Sequence, residues 1–359
     1  MELAKGLRDS GYQVVYLNAS GINEIREGVL YTSVTNIKWT YLSYGTRSIK
    51  QSLGFARGIN SWLRQNEFDG LYVAQTPIFA IFPAHFWGRV RKKKVFIEWL
   101  EIWGFGYWTK YMGPLSGTVG WLIQFFAIQL GDRLLVHTKR AYSQLQNRIK
   151  KRGLAVTLLP GLCSNKILEL DNTFGHSYSK REDIVFLARF VSEKQPMLAL
   201  AAVEKYIQEG WTGHFWIIGT GPMADLIAHE IQLISLSNRI TLLANIADNQ
   251  ISDVFKKSFI LLHPSKREGY GLNVVEAAQY GVPTLLINYK DNAAIDLNVS
   301  PRLVANSDKI EEIVKLLRVA FLEQEHFFKE TKSWVEVSLN DHSMKSSIYK
   351  IGDIFQELL

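Results

Sequence analysis

Between Phe259 and Ile287 the chain reads F-I-L-L-H-P-S-K-R-E-G-Y-G-L-N-V-V-E-A-A-Q-Y-G-V-P-T-L-L-I. Two carboxylates, Glu268 and Glu276, stand eight positions apart around a Gly269-Tyr270-Gly271 turn. A carboxylate accepts two hydrogen bonds from vicinal hydroxyls, so each suits a sugar or a ribose diol. The apolar run before His263-Pro264-Ser265 predicts a buried strand, and the segment from Leu272 a helix whose first N–H groups suit a diphosphate. A second cluster lies in D-I-V-F-L-A-R-F-V-S-E-K-Q, Asp183 to Gln195, where a strand is followed by Arg189 and then Lys194. Two cations at such a place neutralise negative charge on a departing phosphate. Ile217 to Pro222, I-I-G-T-G-P, puts Gly219 and Gly221 after another strand, a common pattern that gains weight from its position between the other two.

Each feature has a bland counterpart. Glu268 would then be solvated, Glu276 a helix-start acid favoured by the macrodipole, and Arg189 and Lys194 surface cations. A glutamate pair at this spacing arises by chance about once in a chain of this length. The joint register of strand, turn and helix decides against coincidence.

The elements that must hold these residues alternate strand and helix, as a parallel sheet requires. In the second half, strands are predicted at 183–188, 214–218, 240–243, 259–263, 284–287 and 302–304. Helices are predicted at 196–209, 222–234, 249–257, 274–280 and 308–325. In the first half, strands at 12–17, 70–74, 94–99 and 133–137 alternate with helices near 46–66, 115–131 and 139–152. The division is residues 1–160, residues 161–338, and a last helix over 339–359. That helix carries Met344, Ile348, Ile351, Ile354, Phe355 and Leu358 on one face, which seeks a partner surface and is expected to pack back on the first half. The chain opens on a helix, Met1 to Ser10, where a Rossmann-like unit has a strand and a glycine turn.

These residues resemble glycosyltransferase family 4, retaining enzymes of the GT-B fold. The resemblance is strongest over 180–290 and weak before 130. It implies an α/β chain of two Rossmann-like domains facing across a cleft, with the first N-terminal strand missing here. It implies transfer of a hexose-type sugar from a nucleotide-sugar donor, with retention and without a metal, to a glycan or lipid-linked acceptor in cell-surface polysaccharide or glycolipid assembly. By the resemblance Glu268 contacts the donor sugar, Glu276 the ribose, and Arg189 and Lys194 the diphosphate. Gly269, Tyr270, Gly271, Leu272, Gly219 and Gly221 line the donor site, and Asn245 and Ile246 fall where the base-binding loop lies. The family's Gly before the Arg and after the Lys are here Ala188 and Gln195.

In the first half, K-V-F-I-E-W-L-E-I-W, from Lys94, occupies the place of the family's catalytic His but offers Glu98 and Glu101. Glu101 is taken as the catalytic candidate; salt-bridged structure is the rival for both. His137 and Thr138 read first as the cap of the next helix, and the alternative has Lys139 or Arg140 meet an anionic acceptor. The competing function is a non-catalytic relative that binds membrane or glycan, motivated by the missing strand and the missing His.

Composition supports a globular chain of two domains, with 47% apolar and 21% charged residues among 359. Cys163 is the only cysteine, and no Asp-x-Asp triplet, Walker loop or Gly-x-Ser-x-Gly appears. Kinase, hydrolase and structural-zinc readings fall away, and no metal or other cofactor is expected. No leader or spanning run is evident, so a cytoplasmic protein, peripheral on the inner face of the membrane, is expected. Residues 1–160 hold 21 Lys and Arg against 9 Asp and Glu. Arg89 to Lys94, R-V-R-K-K-K, beside the apolar 78–82 and Phe86-Trp87, suits an anionic membrane surface; a solvated cluster is the alternative, and nucleic acid is not expected.

Overall fold

The computed structural model describes residues 2–19, 23–34, 41–42, 46–47, 49–150, 153–163, 178–233, 237–244 and 246–358. They fall into two compact units: the residues up to Leu162 together with Ser343–Leu359, and Cys163–His342.

The N-terminal unit opens with α1 (Glu2–Asp9), β1 (Val15–Asn18), β2 (Glu24–Arg26) and β3 (Val29–Ser33). There follow α2 (Ile49–Gln65), β4 (Gly70–Ala74), α3 (Ile81–Val90), β5 (Lys94–Trp99), α4 (Phe105–Met112), α5 (Pro114–Ala127), β6 (Arg133–Val136), α6 (Lys139–Gln146) and β7 (Ala155–Leu158). Strands β4-β5-β6-β7 form one parallel sheet in that order, with Glu98 opposite Ala74 on one side and Leu135 on the other. Alternation along β5 sends Val95, Ile97 and Trp99 into a core with α2, α3, α5 and α6. Phe96 goes to the opposite face, against Leu7 of α1 and Ile351, Ile354 and Phe355 of the C-terminal helix.

Strands β1-β3-β2 make a separate sheet, and among the described residues no ladder joins it to β4. The division leaves β1 and β4 each with an edge. Accordingly β4 is only half-buried from Gly70 to Val73 and exposed at Ala74, while β5 is buried at four of six positions. The hairpin β2–β3, α3, α4 and β7 are absent from the expected elements.

The C-terminal unit contains β8 (Asp183–Leu187), α7 (Pro196–Gln208), β9 (Phe215–Ile218), α8 (Ala224–Leu233), β10 (Ile240–Leu243), α9 (Asp248–Lys257), β11 (Ser258–His263) and β12 (Arg267–Glu268). It continues with α10 (Leu272–Gln279), β13 (Thr284–Ile287), β14 (Asp291–Asn292), β15 (Val304–Ala305), α11 (Ile310–Leu322) and α12 (Gln324–Ser338). The last helix, α13 (Met344–Leu358), returns to the N-terminal unit. Six parallel strands run in the order β10-β9-β8-β11-β13-β15, a doubly wound sheet. Every residue of the central β11 is buried, as a strand covered on both faces requires. The order reverses between β8 and β11, and in such sheets a ligand crevice opens beyond the strand ends at that reversal.

Candidate active site

The two motif loops meet at this switch point. β8 ends at Leu187 and leads to Arg189; β11 ends at His263 and leads to Glu268. Arg189 is exposed between buried Ala188 and buried Phe190, and those neighbours are knitted to the Gly219-Thr220-Gly221 loop. Ala188 N donates to Ile218 O (3.1 Å), Phe190 N to Thr220 O (2.8 Å) and Met223 N to Phe190 O (3.1 Å). Gly219 and Gly221 are required by this contact: a Cβ at either would lie 1.9 Å from the Ala188 oxygen or 2.4 Å from the Phe190 oxygen.

Lys194 closes a short 3₁₀ turn, and the residue after it, Gln195, adopts φ +51° and ψ +49° before Pro196 starts α7. This left-handed conformation is why a glycine suits the position. Lys266 N donates to Glu193 O (2.8 Å), and Lys194 Nζ to Arg267 O (3.1 Å), so the loops are tied together. Lys194 Nζ also forms an ion pair with Glu268. His263 Nε2 lies 2.8 Å from the same Glu268 oxygen, Oε1. The imidazole is almost wholly buried, and its Nδ1 and the buried Ser265 hydroxyl have no hydrogen-bond partner among the described residues.

Burial alone would raise the Glu268 carboxyl, but the hydrogen bond and charge of His263, followed by those of Lys194, outweigh it and hold the group down at about 2. The result is an ionised carboxylate with one oxygen fixed by two donors. Its other oxygen can accept from ligand hydroxyls. An ammonium has three N–H groups, of which Lys194 spends two on protein acceptors.

Beyond Glu268, Gly271 at φ +105° caps α10, where an added Cβ would fall 2.7 Å from Ala294 Cβ. Leu272 is exposed at the helix start, and Asn273 Nδ2 donates to Leu187 O (2.5 Å), joining α10 to the end of β8. Glu276 is half-buried on α10 and close enough to Cys163 that burial, followed by its charge, pushes that thiol up to about 12. Tyr270 turns its ring inward, with its hydroxyl 2.7 Å from His342 Nδ1, so any part it takes in donor binding falls to its backbone. Ile246 packs partly buried after β10; Asn245 lies outside the described residues.

Glu101 belongs to the N-terminal unit, where it accepts from the Trp103 indole (2.9 Å). Its backbone N–H donates to Gln75 Oε1 (3.0 Å), and its carbonyl accepts from Gln75 Nε2 (2.7 Å). Glu98 meets His137 Nε2 at 2.7 Å, which fits the salt-bridged reading of Glu98 with a partner that lies 39 residues away in the chain. His263 was also missed, although a histidine ending a wholly apolar strand beside Pro-Ser was a visible signal. The run Arg89 to Lys94 is less available than its sequence suggested. Arg89 pairs with Asp132, Lys93 with Asp69, and Arg91 donates to two backbone carbonyls.

A doubly wound sheet with a cation-carboxylate network at its switch point defines the class of α/β protein to which this unit belongs. Residues 171–336 match the family "Glycosyl transferases group 1". Over 178 residues the chain is 25% identical to the phosphatidylinositol N-acetylglucosaminyltransferase gpi3 subunit of Schizosaccharomyces pombe, a match covering 46% of this chain and 38% of that protein. Among solved structures, sucrose-phosphate synthase from Thermosynechococcus elongatus superposes with TM-score 0.77 at 12% identity, covering 99% of this chain and 92% of that one. WaaG, a glycosyltransferase involved in lipopolysaccharide biosynthesis, gives TM-score 0.69 at 13% identity over 99% and 94% of the two chains. Anabaena Alr3699/HepE in complex with UDP gives 0.69 at 12% identity over 97% and 100%. The chain therefore has the GT-B fold, and residues 171–336 are similar to the glycosyl transferases group 1 family.

Proposed function

We propose that the chain is a retaining glycosyltransferase whose donor, a nucleotide sugar, is held by the C-terminal unit. The observation that carries this reading is the Lys194–Glu268–His263 network beside the exposed Arg189 at the switch point. Arg189 and the remaining N–H of Lys194 neutralise the diphosphate, with the start of α10 as a further anion contact. Glu268 holds the hexose hydroxyls and Glu276 the ribose. The acceptor hydroxyl attacks the anomeric carbon on the face the diphosphate leaves, and its proton passes to the departing phosphate oxygen. The two cations take up the charge that develops there, so the step calls for no metal. Glu101 is the N-terminal residue proposed to act on the reacting sugar. The acceptor is a glycan or lipid-linked glycan of the kind used in cell-surface polysaccharide or glycolipid assembly.

A second reading is favoured by the divided sheet of the N-terminal unit: donor binding without efficient transfer. Both readings are tested by thermal-shift titration with UDP, GDP, ADP and their sugars, followed by donor-consumption assays. The first expects one nucleotide series to stabilise the chain, the effect to vanish in Arg189→Ala and Glu276→Ala, and the donor to be consumed. Stabilisation without consumption supports the second. A folded chain that answers to no ligand overturns both.

A further inference from the structure

Helix α5, P-L-S-G-T-V-G-W-L-I-Q-F-F-A, carries no charged residue in 14, yet it lies at the surface. Its buried positions are Gly117, Gln124 and Ala127. Its outward face bears Leu115, Val119, Leu122 and Phe126, which are 86%, 56%, 41% and 59% exposed. Steps of four, three and four place these on one stripe. The neighbouring α4 adds exposed Phe105 and Tyr111, and the two helices turn on Gly113, at φ +82°, followed by Pro114.

The hairpin is packed through its small residues. A Cβ on Gly117 would stand 2.3 Å from the Trp108 carbonyl oxygen, and one on Gly120 2.5 Å from the Trp108 ring. Small residues thus make the contact with α4 while large apolar side chains face outward, the reverse of a water-facing amphipathic helix. An uncharged helix that turns a stripe of large apolar side chains away from its own core calls for an apolar cover such as lipid.

The charge of this part of the chain points to its cover. Residues 71–160 contain 13 Lys and Arg against Glu98, Glu101 and Asp132 alone. All three acids are engaged, with His137, the Trp103 indole and Arg89 respectively. Beside the stripe, Trp121, Phe125 and Ile128 share a cavity of about 280 Å³ with Arg148 and Lys150, and Lys150 Nζ sits 5.2 Å from the Phe125 ring centre. An apolar wedge rimmed by cations fits the boundary of a bilayer with anionic headgroups. At about 1.5 Å per residue, α5 is roughly 21 Å long, short of the ~30 Å hydrocarbon thickness, so it lies in the interface rather than spanning it. No helix of the described residues is long and apolar enough to cross a membrane.

We propose that the α4–α5 hairpin is an interfacial anchor that lays Leu115, Val119, Leu122 and Phe126 into an anionic bilayer. This stands independently of the donor site, because none of these residues belongs to it.

The test is co-sedimentation of the full chain with phosphatidylcholine vesicles, with and without phosphatidylglycerol. Binding is expected only with the anionic lipid and should fall with salt. The double substitution Leu115→Glu, Phe126→Glu should weaken partitioning at least about tenfold, since it removes two large apolar side chains from the stripe and adds two negative charges. A fluorophore on Leu115→Cys should shift to the blue on anionic vesicles, while one on Val337→Cys, exposed on α12, should not; Cys163 is buried and stays unlabelled. Folded protein that ignores anionic vesicles, or partitioning unaffected by the double substitution, overturns the proposal. So does a lipid-free dimer dispersed by the same substitutions, which would make the cover a second copy.

Discussion

At the C-terminal edge of each parallel sheet a glutamate meets a buried histidine, yet the two pairs keep different electrostatic company. In the C-terminal unit Glu268 and His263 are joined by Lys194, and the carboxyl is held at about 2. In the N-terminal unit Glu98 and His137 have the Tyr72 phenol nearby, which burial and then the Glu98 charge push well above its ordinary value. One site has an excess of positive charge and an exposed arginine alongside. The other is a group of hydrogen-bonding residues, Glu98, His137 and Tyr72, inside the N-terminal unit. The first is suited to hold an anionic donor and its diol, the second to hold strand ends in place. The surrounding sheets differ in the same sense. The site with the cation sits on a six-stranded sheet; the other sits on a four-stranded sheet that, among the described residues, has no ladder to β1-β3-β2.

The largest effect that separates the two is on transfer. Lys194→Ala should lower donor turnover by about 10²–10³-fold, the loss typical of removing one charge-stabilising donor from a transition state. His137→Leu should leave nucleotide-induced stabilisation unchanged while costing about 1–3 kcal/mol of folding stability, because Glu98 loses a buried partner. If His137→Leu abolished the nucleotide response, the distinction between a ligand site and a structural pair would collapse.

Next in size is a pH effect peculiar to Glu268. Its carboxyl ionises at about 2 in the fold against an ordinary 4.5, so its stabilising contribution is fully present above pH 4.5 and is lost as pH falls through 2. Between pH 6 and pH 3 the loss should be roughly 2 kcal/mol, read from urea midpoints. Glu268→Gln should remove that part of the pH slope. A slope of equal size in Glu268→Gln would show that the carboxylate is not held as the geometry implies.

Much of the C-terminal site was legible because its chemistry is local. Strand, turn and helix over 259–287 are spelled by an apolar run, two glycines and a glutamate at one-turn spacing from exposed Leu272. The face of α13 was equally plain from Ile348, which packs on Gly6, and from Ile351, Ile354 and Phe355, which pack toward Phe96 and Leu135. What escaped depends on tertiary contact or on short polar elements. The strand E-I-R of β2 is too brief and too charged to signal itself, and Gly28 at φ +72° makes its turn to β3. Helix α12 was hidden behind α11, because only Glu323 interrupts them. Helix α4 begins F-G-Y-W, a composition that reads as loop. No sequence pattern states that Glu98 faces His137, or that Arg89 and Lys93 find acids at Asp132 and Asp69.

The smallest expected effect concerns Gln195, where this chain departs from the family's glycine. A side chain at φ +51° costs on the order of 1 kcal/mol relative to glycine, and the loop it belongs to carries Lys194. Gln195→Gly relieves that cost but also frees more of the unfolded chain, which opposes the gain. The net should be a stabilisation of no more than about 1 kcal/mol, seen as a modest rise in the denaturation midpoint. Donor turnover should be unchanged if the Lys194 ammonium is positioned by its contacts with Glu268 and Arg267. If the loop conformation positions it instead, the extra freedom of glycine would lower turnover while stability rose. The two quantities measured on one variant therefore tell whether the C-terminal network is held by its ion pair or by its backbone.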